Sequence, residues 1–434
     1  MALGGGTFTA QNKVLPGAYI NFVSLAAANS ALSDRGIATM PLELDWGVEN
    51  EVFEVTNADF HKNSLKLFGY AYEHEKMKGL RDLFKNITTL YAYRLNGGGA
   101  KAENNYAIAK FSGIRGNDLK IVIQRNVDNN EMFDVKTMLD NAAVDVQTVS
   151  SAKELAENDY ISFKEFELAE TAGTPLMGGE NGTTDGSAHQ NYLDKIEAYS
   201  FNVMGVASTE DTIKTMYVNF CKRLRDEIGA KFQSVVYDCA ADYEGVINVK
   251  NRVLDTDYSE AGLVYWVTGI AAGCAVNKSN LNKVYDGEFS VDVSYTQTHL
   301  ENAIKTGEFT LHKVGNDVRV LEDINSLVTV TDTKGVIFKD NQTIRVVDQI
   351  ANDIAVLFNT KYLGSVPNDA AGRISLWADI VKHHEQLQDI RAIEEFSDED
   401  VTVIQGNDKK SVVVNDAVTV VNAMSKLYMT VTVA

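Results

Sequence analysis

Leu427-Tyr428-Met429-Thr430-Val431-Thr432-Val433 alternates apolar and polar residues without a break. Leu427, Met429, Val431 and Val433 share one face, and Tyr428, Thr430 and Thr432 share the other, which is the period-two pattern of a β-strand. A strand carries a row of N–H and C=O groups that must be paired, so this segment calls for a partner edge. Near the other end, Ala18-Tyr19-Ile20-Asn21-Phe22-Val23 alternates in the same way after a Gly-bearing stretch from Met1 to Asn12. Terminal segments fray unless something holds them. Two apolar, strand-forming arms at opposite ends therefore predict strand addition between copies of the chain, and a polymer rather than an enzyme.

The bulk numbers agree with a folded protein of several domains. A chain of 434 residues exceeds one ordinary core, and 45% hydrophobic with 23% charged residues is a globular composition. Forty basic against sixty acidic residues leave a formal net charge of −20. That sign argues against nucleic acid and anionic membrane as partners, and makes like subunits repel unless directional contacts hold them. Cys221, Cys239 and Cys274 are odd in number and lack a CxxC pair, so they read as buried free thiols of a reducing compartment. No secretory signal pattern is expected. The apolar run from Leu263 to Val276 is shorter than the roughly 18 residues a membrane span needs, which predicts a soluble protein with no membrane insertion.

Along the chain, Leu42 to Trp46, Val52 to Val55 and Leu90 to Leu95 read as strands, with a helix from His74 to Lys85. Asn96-Gly97-Gly98-Gly99 and the Gly/Thr/Asn-dense segment from Thr171 to Gly186 bracket a mostly β block. Beyond it the pattern turns α/β: strands at Tyr199 to Val206, Phe232 to Asp238 and Val246 to Val249, a helix from Thr209 to Ile228, and an apolar helix from Glu260 to Val276. A hairpin turn falls at Val314 to Asp317. Ile344, Val347, Ile350, Ile354, Leu357 and Phe358 keep helical spacing, and a second helix runs from Ala370 to Ile393. Val401 to Gln405 and Ser411 to Val414 form a hairpin, which Val418 to Val421 is expected to extend.

The predicted architecture is thus a multidomain α+β and α/β protein. Residues 1–28 form an N-terminal arm; 29–97 and 188–338 an α/β core; 98–187 an inserted β-rich domain with a flexible linker; 339–434 a C-terminal α+β inner domain ending in an arm.

Chemistry-bearing motifs are few. No P-loop, nucleophile elbow or zinc-protease signature is present. Asp255-Thr256-Asp257-Tyr258-Ser259-Glu260 has alternating carboxylates but no Gly at the sixth position, so a helix cap at Ser259 or Asp257 is the expected role. Adjacent His383 and His384 point about 100° apart on a helix and cannot share one ligand set unaided; one half-buried and one exposed histidine are expected. Asp238 and Cys239 end a hydrophobic strand, where open α/β sheets place their active sites, and define the alternative of a hydrolase-like enzyme. Gly269 and Gly273 in the apolar helix suit close packing in a core.

Several segments, in their order and spacing, resemble the contractile tail sheath proteins of bacteriophages and phage-tail-like bacteriocins, in the compact form of Gram-positive prophages. They are Leu15 to Asn21, Arg35 to Ala38 leading to Pro41 to Gly47, Ala109 to Asp118, and above all Ile344 to Val433 with Asn359-Thr360-Lys361-Tyr362-Leu363-Gly364. The resemblance implies a structural protomer that polymerises as stacked helical rings around a tail tube and contracts to drive that tube through a target envelope.

It also implies where subunits join. Arm strands would be Ala18, Tyr19, Ile20, Asn21 and Phe22 at one end and Leu427, Tyr428, Met429, Thr430, Val431, Thr432 and Val433 at the other. The receiving sheet would carry Val401, Val403, Val412, Val414, Val418 and Val420, and tube contact would fall to Arg373 and Lys382. Partners implied are other copies of the chain, a tail tube protein, and baseplate and tail terminator proteins. No cofactor, metal or nucleotide is implied. The location would be a virion or tail-like particle assembled in the bacterial host cytoplasm.

Overall fold

The computed structural model describes residues 32–433. The described residues divide into two compact units, one of residues 32–39, 82–88 and 198–433, the other of residues 40–81 and 89–197. The N-terminal arm strand predicted at Ala18 to Phe22 lies outside the described residues.

The larger unit is built on a parallel sheet. Strand Ile37–Leu42 enters it at Ala38 and Thr39, opposite Val203 and Met204. Strands Val203–Val206, Gln233–Tyr237, Val246–Val249 and Glu308–Phe309 follow in that order, all parallel. Every residue of Val203–Val206, Gln233–Tyr237 and Val246–Val249 is buried, as expected of a sheet covered on both faces. Helix Asp211–Lys222 and its π-helical extension Arg223–Ile228 make the crossover between two of these strands, and Gly229 closes it in the left-handed conformation.

The apolar helix is Leu263–Gly273, with nine buried residues including Trp266. A short 3-10 turn, Glu260–Gly262, precedes it, and the Ser259 side chain accepts from the Ala261 N–H, the capping role expected from sequence. Gly273 lies so close to the Asn86 carbonyl that an added Cβ would sit 1.8 Å from its oxygen. The helix packs on segment 82–88 at a distance only glycine allows.

The C-terminal part of this unit pairs helix Asn341–Leu357 with helix Ala370–Asp389. Asp340 caps the first through the N–H groups of Gln342 and Thr343, and Asp369 caps the second through that of Gly372. Leu357, Tyr362, Leu376, Ile380, Val381 and Val401 form one small core, and Val276, Val346, Leu387, Ala392 and Ile393 another.

The smaller unit holds an antiparallel pair, Val52–Thr56 with Thr89–Arg94, and a four-stranded antiparallel sheet. That sheet runs Ala142–Val149, Phe133–Leu139, Leu119–Arg125, Thr171–Pro175. Its core centres on Ile121, Val135, Leu139 and Ile161, with Trp46 edge-on to Phe111 at 5.2 Å.

Four expectations are corrected. The first strand is Ile37–Leu42, not Leu42 to Trp46; Leu44 and Trp46 alternate because they bury from a bend, where the Asn96 side chain accepts the Leu44 N–H. Thr171–Pro175 is not a flexible break but an edge strand on Leu119–Arg125, with Pro175 at the end of the ladder. Three helices, Asn57–Phe68, Gly186–Ile196 and Gln297–Lys305, stand where none was expected. Thr419–Val420 does not extend the hairpin: Val420 pairs with Ile393 in a separate two-stranded sheet, and Val418 packs beside it.

Candidate assembly surface

The hairpin forms as expected, Val401–Gln405 with Val412–Asp416, in the register Val401 with Asp416, Val403 with Val414 and Gln405 with Val412. Val401, Val403 and Val412 face the helix pair and join its core, while Ile404 and Val414 stand exposed. The sheet has two strands, so each strand offers an outer edge without a ladder partner among the described residues. Such an edge is a template for another strand.

The C-terminal arm leaves from the neighbouring two-stranded sheet. The Val421 N–H donates to the Ala392 carbonyl, the Gln342 side chain donates to the Val421 carbonyl and accepts from Ala423, and Asn422 donates to Thr343. From Met424 through Val433 the chain has no regular structure and no hydrogen bond within the described residues. Met424, Leu427, Tyr428, Met429, Val431 and Val433 are each 69% exposed or more. An apolar segment that extended is not a stable end state in water; burial of each such side chain is worth roughly 1.5–3 kcal/mol.

Between helix pair and hairpin lies a buried polar chain. His383 Nε2 pairs with Asp353 at 3.0 Å, His384 Nε2 pairs with Asp416 at 2.8 Å, and the two Nδ1 atoms meet at 3.3 Å. Asp353 also takes the Ser33 hydroxyl at 2.6 Å and the Gln349 amide at 2.7 Å. Contrary to expectation, both histidines are buried. Helix Ala370–Asp389 is covered on two sides, by helix Asn341–Leu357 and by the hairpin, so two directions about 100° apart both point inward. The chain ties the last residue of the hairpin to the helices beneath it.

Of the proposed tube contacts, Lys382 is exposed, whereas Arg373 is half-buried and donates to the Asn368 carbonyl and side-chain oxygen at 3.2 and 3.0 Å. The exposed face of that helix includes Ile374, Ser375, Ala378, Lys382 and Glu385. Exposed Ile374 was missed, although its spacing from Ala378 and Lys382 marks one helix face.

The rival site is built differently. Cys239 is half-buried, and burial pushes its thiol up rather than activating it. Asp238 is engaged by Lys250, and its carbonyl accepts from Lys214. Cys221 and Cys274 are buried free thiols, as expected. Among the described residues no His/Cys/Asp/Glu group could hold a metal ion, and no helix is long and apolar enough to cross a membrane.

An α/β body, a β-rich portion and an α+β C-terminal part with an exposed apolar arm make up a multidomain α/β protein, and comparison with known proteins gives the family. Residues 35–95 match the N-terminal region of tail sheath domain III, 97–181 the sheath β-sandwich domain, 182–326 the phage tail sheath central domain and 333–434 the sheath C-terminal domain. The chain belongs to the phage tail sheath proteins. Protein XkdK of the phage-like element PBSX of Bacillus subtilis is 33% identical, the match covering 99% of this chain and all of that one. The crystal structure of a sheath tail protein from Desulfitobacterium hafniense shares 36% identity at a TM-score of 0.82, over 95% of this chain and 99% of the other. The contracted helical sheath of the anti-feeding prophage shares the fold, with a TM-score of 0.57 and 12% identity over 98% and 99% of the two chains.

Proposed function

We propose that this sheath protomer polymerises by donating its C-terminal arm, Leu427 to Val433, to an open edge of a neighbour's Val401–Gln405/Val412–Asp416 hairpin. The observation that carries the reading is the coexistence, in one chain, of an exposed apolar arm and a two-stranded sheet, neither with a further ladder partner among the described residues. Ala18 to Phe22 would serve as the second donor. Linkage by strand addition keeps backbone hydrogen bonds intact while the bodies of the subunits turn.

The polymer surrounds a tail tube, with Lys382 facing it, and ends at baseplate and terminator proteins in a tail-like particle assembled in the host cytoplasm. Contraction moves the lattice from an extended to a wider, shorter state and drives the tube through a target envelope. The energy comes from surface buried between subunits, and no catalytic step is involved. The hydrolase alternative has nothing in its favour at Cys239.

Ordering seven arm residues costs roughly 1–2 kcal/mol each, about what burial of the four apolar side chains returns. The ladder hydrogen bonds therefore decide whether the arm docks. A direct test mixes two populations, both with Cys239→Ala: one with Ile404→Cys, the other with cysteine in place of Tyr428, Met429 or Thr430. Oxidation is expected to give mixed disulfide dimers for at least one arm position. Their absence at every position under polymerising conditions contradicts the reading.

A further inference from the structure

Helix Asn341–Leu357 places Arg345, Asp348, Gln349 and Asn352 on one face, at spacings of three and four residues. With Ser33, Arg35, Asn202, Lys231 and Gln233 they enclose a small polar cavity of about 20 Å³. Arg345 is 1% exposed. Its Nη2 donates to the Lys278 carbonyl at 2.9 Å and to Asp323 at 2.6 Å, but its Nε and Nη1 have no acceptor. A buried donor without an acceptor is costly, more so on a charged group.

The charges around the cavity do not cancel. Arg225 is matched by Asp348 through two bonds of 2.7 and 2.8 Å, and Arg345 by Asp323. Asp353 lies beyond Ser33 and Gln349. Arg35 donates only to the carbonyls of Cys274 and Ala271, and Lys231 only to that of Arg225. Three cations, Arg35, Lys231 and Arg345, thus line the cavity against one carboxylate, Asp348, with Asp323, Asp353, Asp226 and Glu244 acting on them from behind the wall, in a chain whose overall charge is −20. Burial and then the neighbouring Arg345 pull Arg35 down to about 10, and burial followed by Arg225 lowers Lys231. Asp348 and Asp353 oppose the shift at Arg35, and Asp348, Asp226 and Glu244 oppose it at Lys231.

We infer that this cavity is a binding site for one monatomic anion, chloride in the cell, held by the free Nε and Nη1 of Arg345 with Arg35 and Lys231 beside it. About 20 Å³ takes a single water-sized occupant, which excludes phosphate and sulfate. Neutral water would fill the space and satisfy a donor but would leave three lining cations against the single lining carboxylate, Asp348. The inference stands independently of the sheath reading.

The test uses the full-length chain at constant ionic strength, with sodium gluconate exchanged stepwise for sodium chloride. The melting temperature is expected to rise with chloride along a saturating curve, as for any ligand that binds only the folded state. Bromide is expected to replace chloride in that curve and to give an anomalous peak within about 3.5 Å of Arg345 in crystals. Lys231→Gln, at a half-buried loop position, is expected to shift the midpoint at least tenfold upward. A shift that never saturates and is equal in Lys231→Gln, or crystals with a water and no bromide at Arg345, overturns the inference.

Discussion

Two stretches of similar length and apolar content meet opposite fates. Leu263–Gly273 is a helix with nine of its residues buried, while Met424 to Val433 leaves six large apolar side chains in solvent. The difference lies in what surrounds each. Small residues at Gly269 and Gly273 let segment 82–88 approach the helix to backbone contact, and the parallel sheet covers its other side. The arm alternates with period two and follows its last anchor at Ala423, so it presents a strand's edge to no ladder partner among the described residues. Apolar content says that a segment needs cover; periodicity and neighbouring small residues say whether its own chain supplies it.

The sharpest way to break this contrast is to remove the arm. Deleting residues 427–434 is expected to abolish polymer, seen as loss of the fast-sedimenting fraction, while shifting the stability of the protomer by less than about 0.5 kcal/mol. Trp266→Ala is the mirror experiment: the indole is fully buried and donates to Asp286 at 2.7 Å, so denaturant titration should show a loss of about 3–5 kcal/mol.

A third test probes how dry the packing partner of that helix is. Asp82 is buried, and burial, outweighing the Glu288 N–H shared between its two oxygens, pushes its carboxyl up to about 6. A raised folded-state value means that the folded protein binds the proton more tightly than the unfolded chain. Its ionisation therefore destabilises the fold as pH rises from about 4 to about 6, and the penalty is relieved on acidification. The stability difference between wild type and Asp82→Asn should change across that window by at most about 3 kcal/mol, and be flat above it. The smallest effect is expected from Cys239→Ala: no change in assembly, and less than about 1 kcal/mol in stability.

How far the fold could be read in advance follows the same logic. Gln233–Tyr237, Val246–Val249 and the two C-terminal helices were legible because burial on every side leaves unbroken apolar runs or a clean helical face. Helix Gly186–Ile196 was overlooked behind a Gly/Thr-rich approach, although His189, Tyr192, Leu193 and Ile196 keep helical spacing and Asp185 caps it. Thr171–Pro175 looked like a linker because its composition is that of a turn; it holds as a strand by lying at a sheet edge. The hairpin of Val401–Gln405 with Val412–Asp416 was visible in its alternating valines, but the diversion of Thr419–Val420 to Ile393 depended on a contact made only in three dimensions. The same holds for His383 and His384, whose common burial requires cover from two elements. The N-terminal arm strand at Ala18 to Phe22 stays a proposal.

The central claim, a sheath held together by exchanged arms, is tested most directly by negative-stain electron microscopy. The full-length protein and the 427–434 deletion would be imaged side by side, alone and with the cognate tail tube protein. Long hollow helical tubes from the full-length protein, and only discrete particles from the deletion, are the expected result. Tubes of normal length and diameter from the deletion, or no tubes from the full-length protein under any condition, would contradict it.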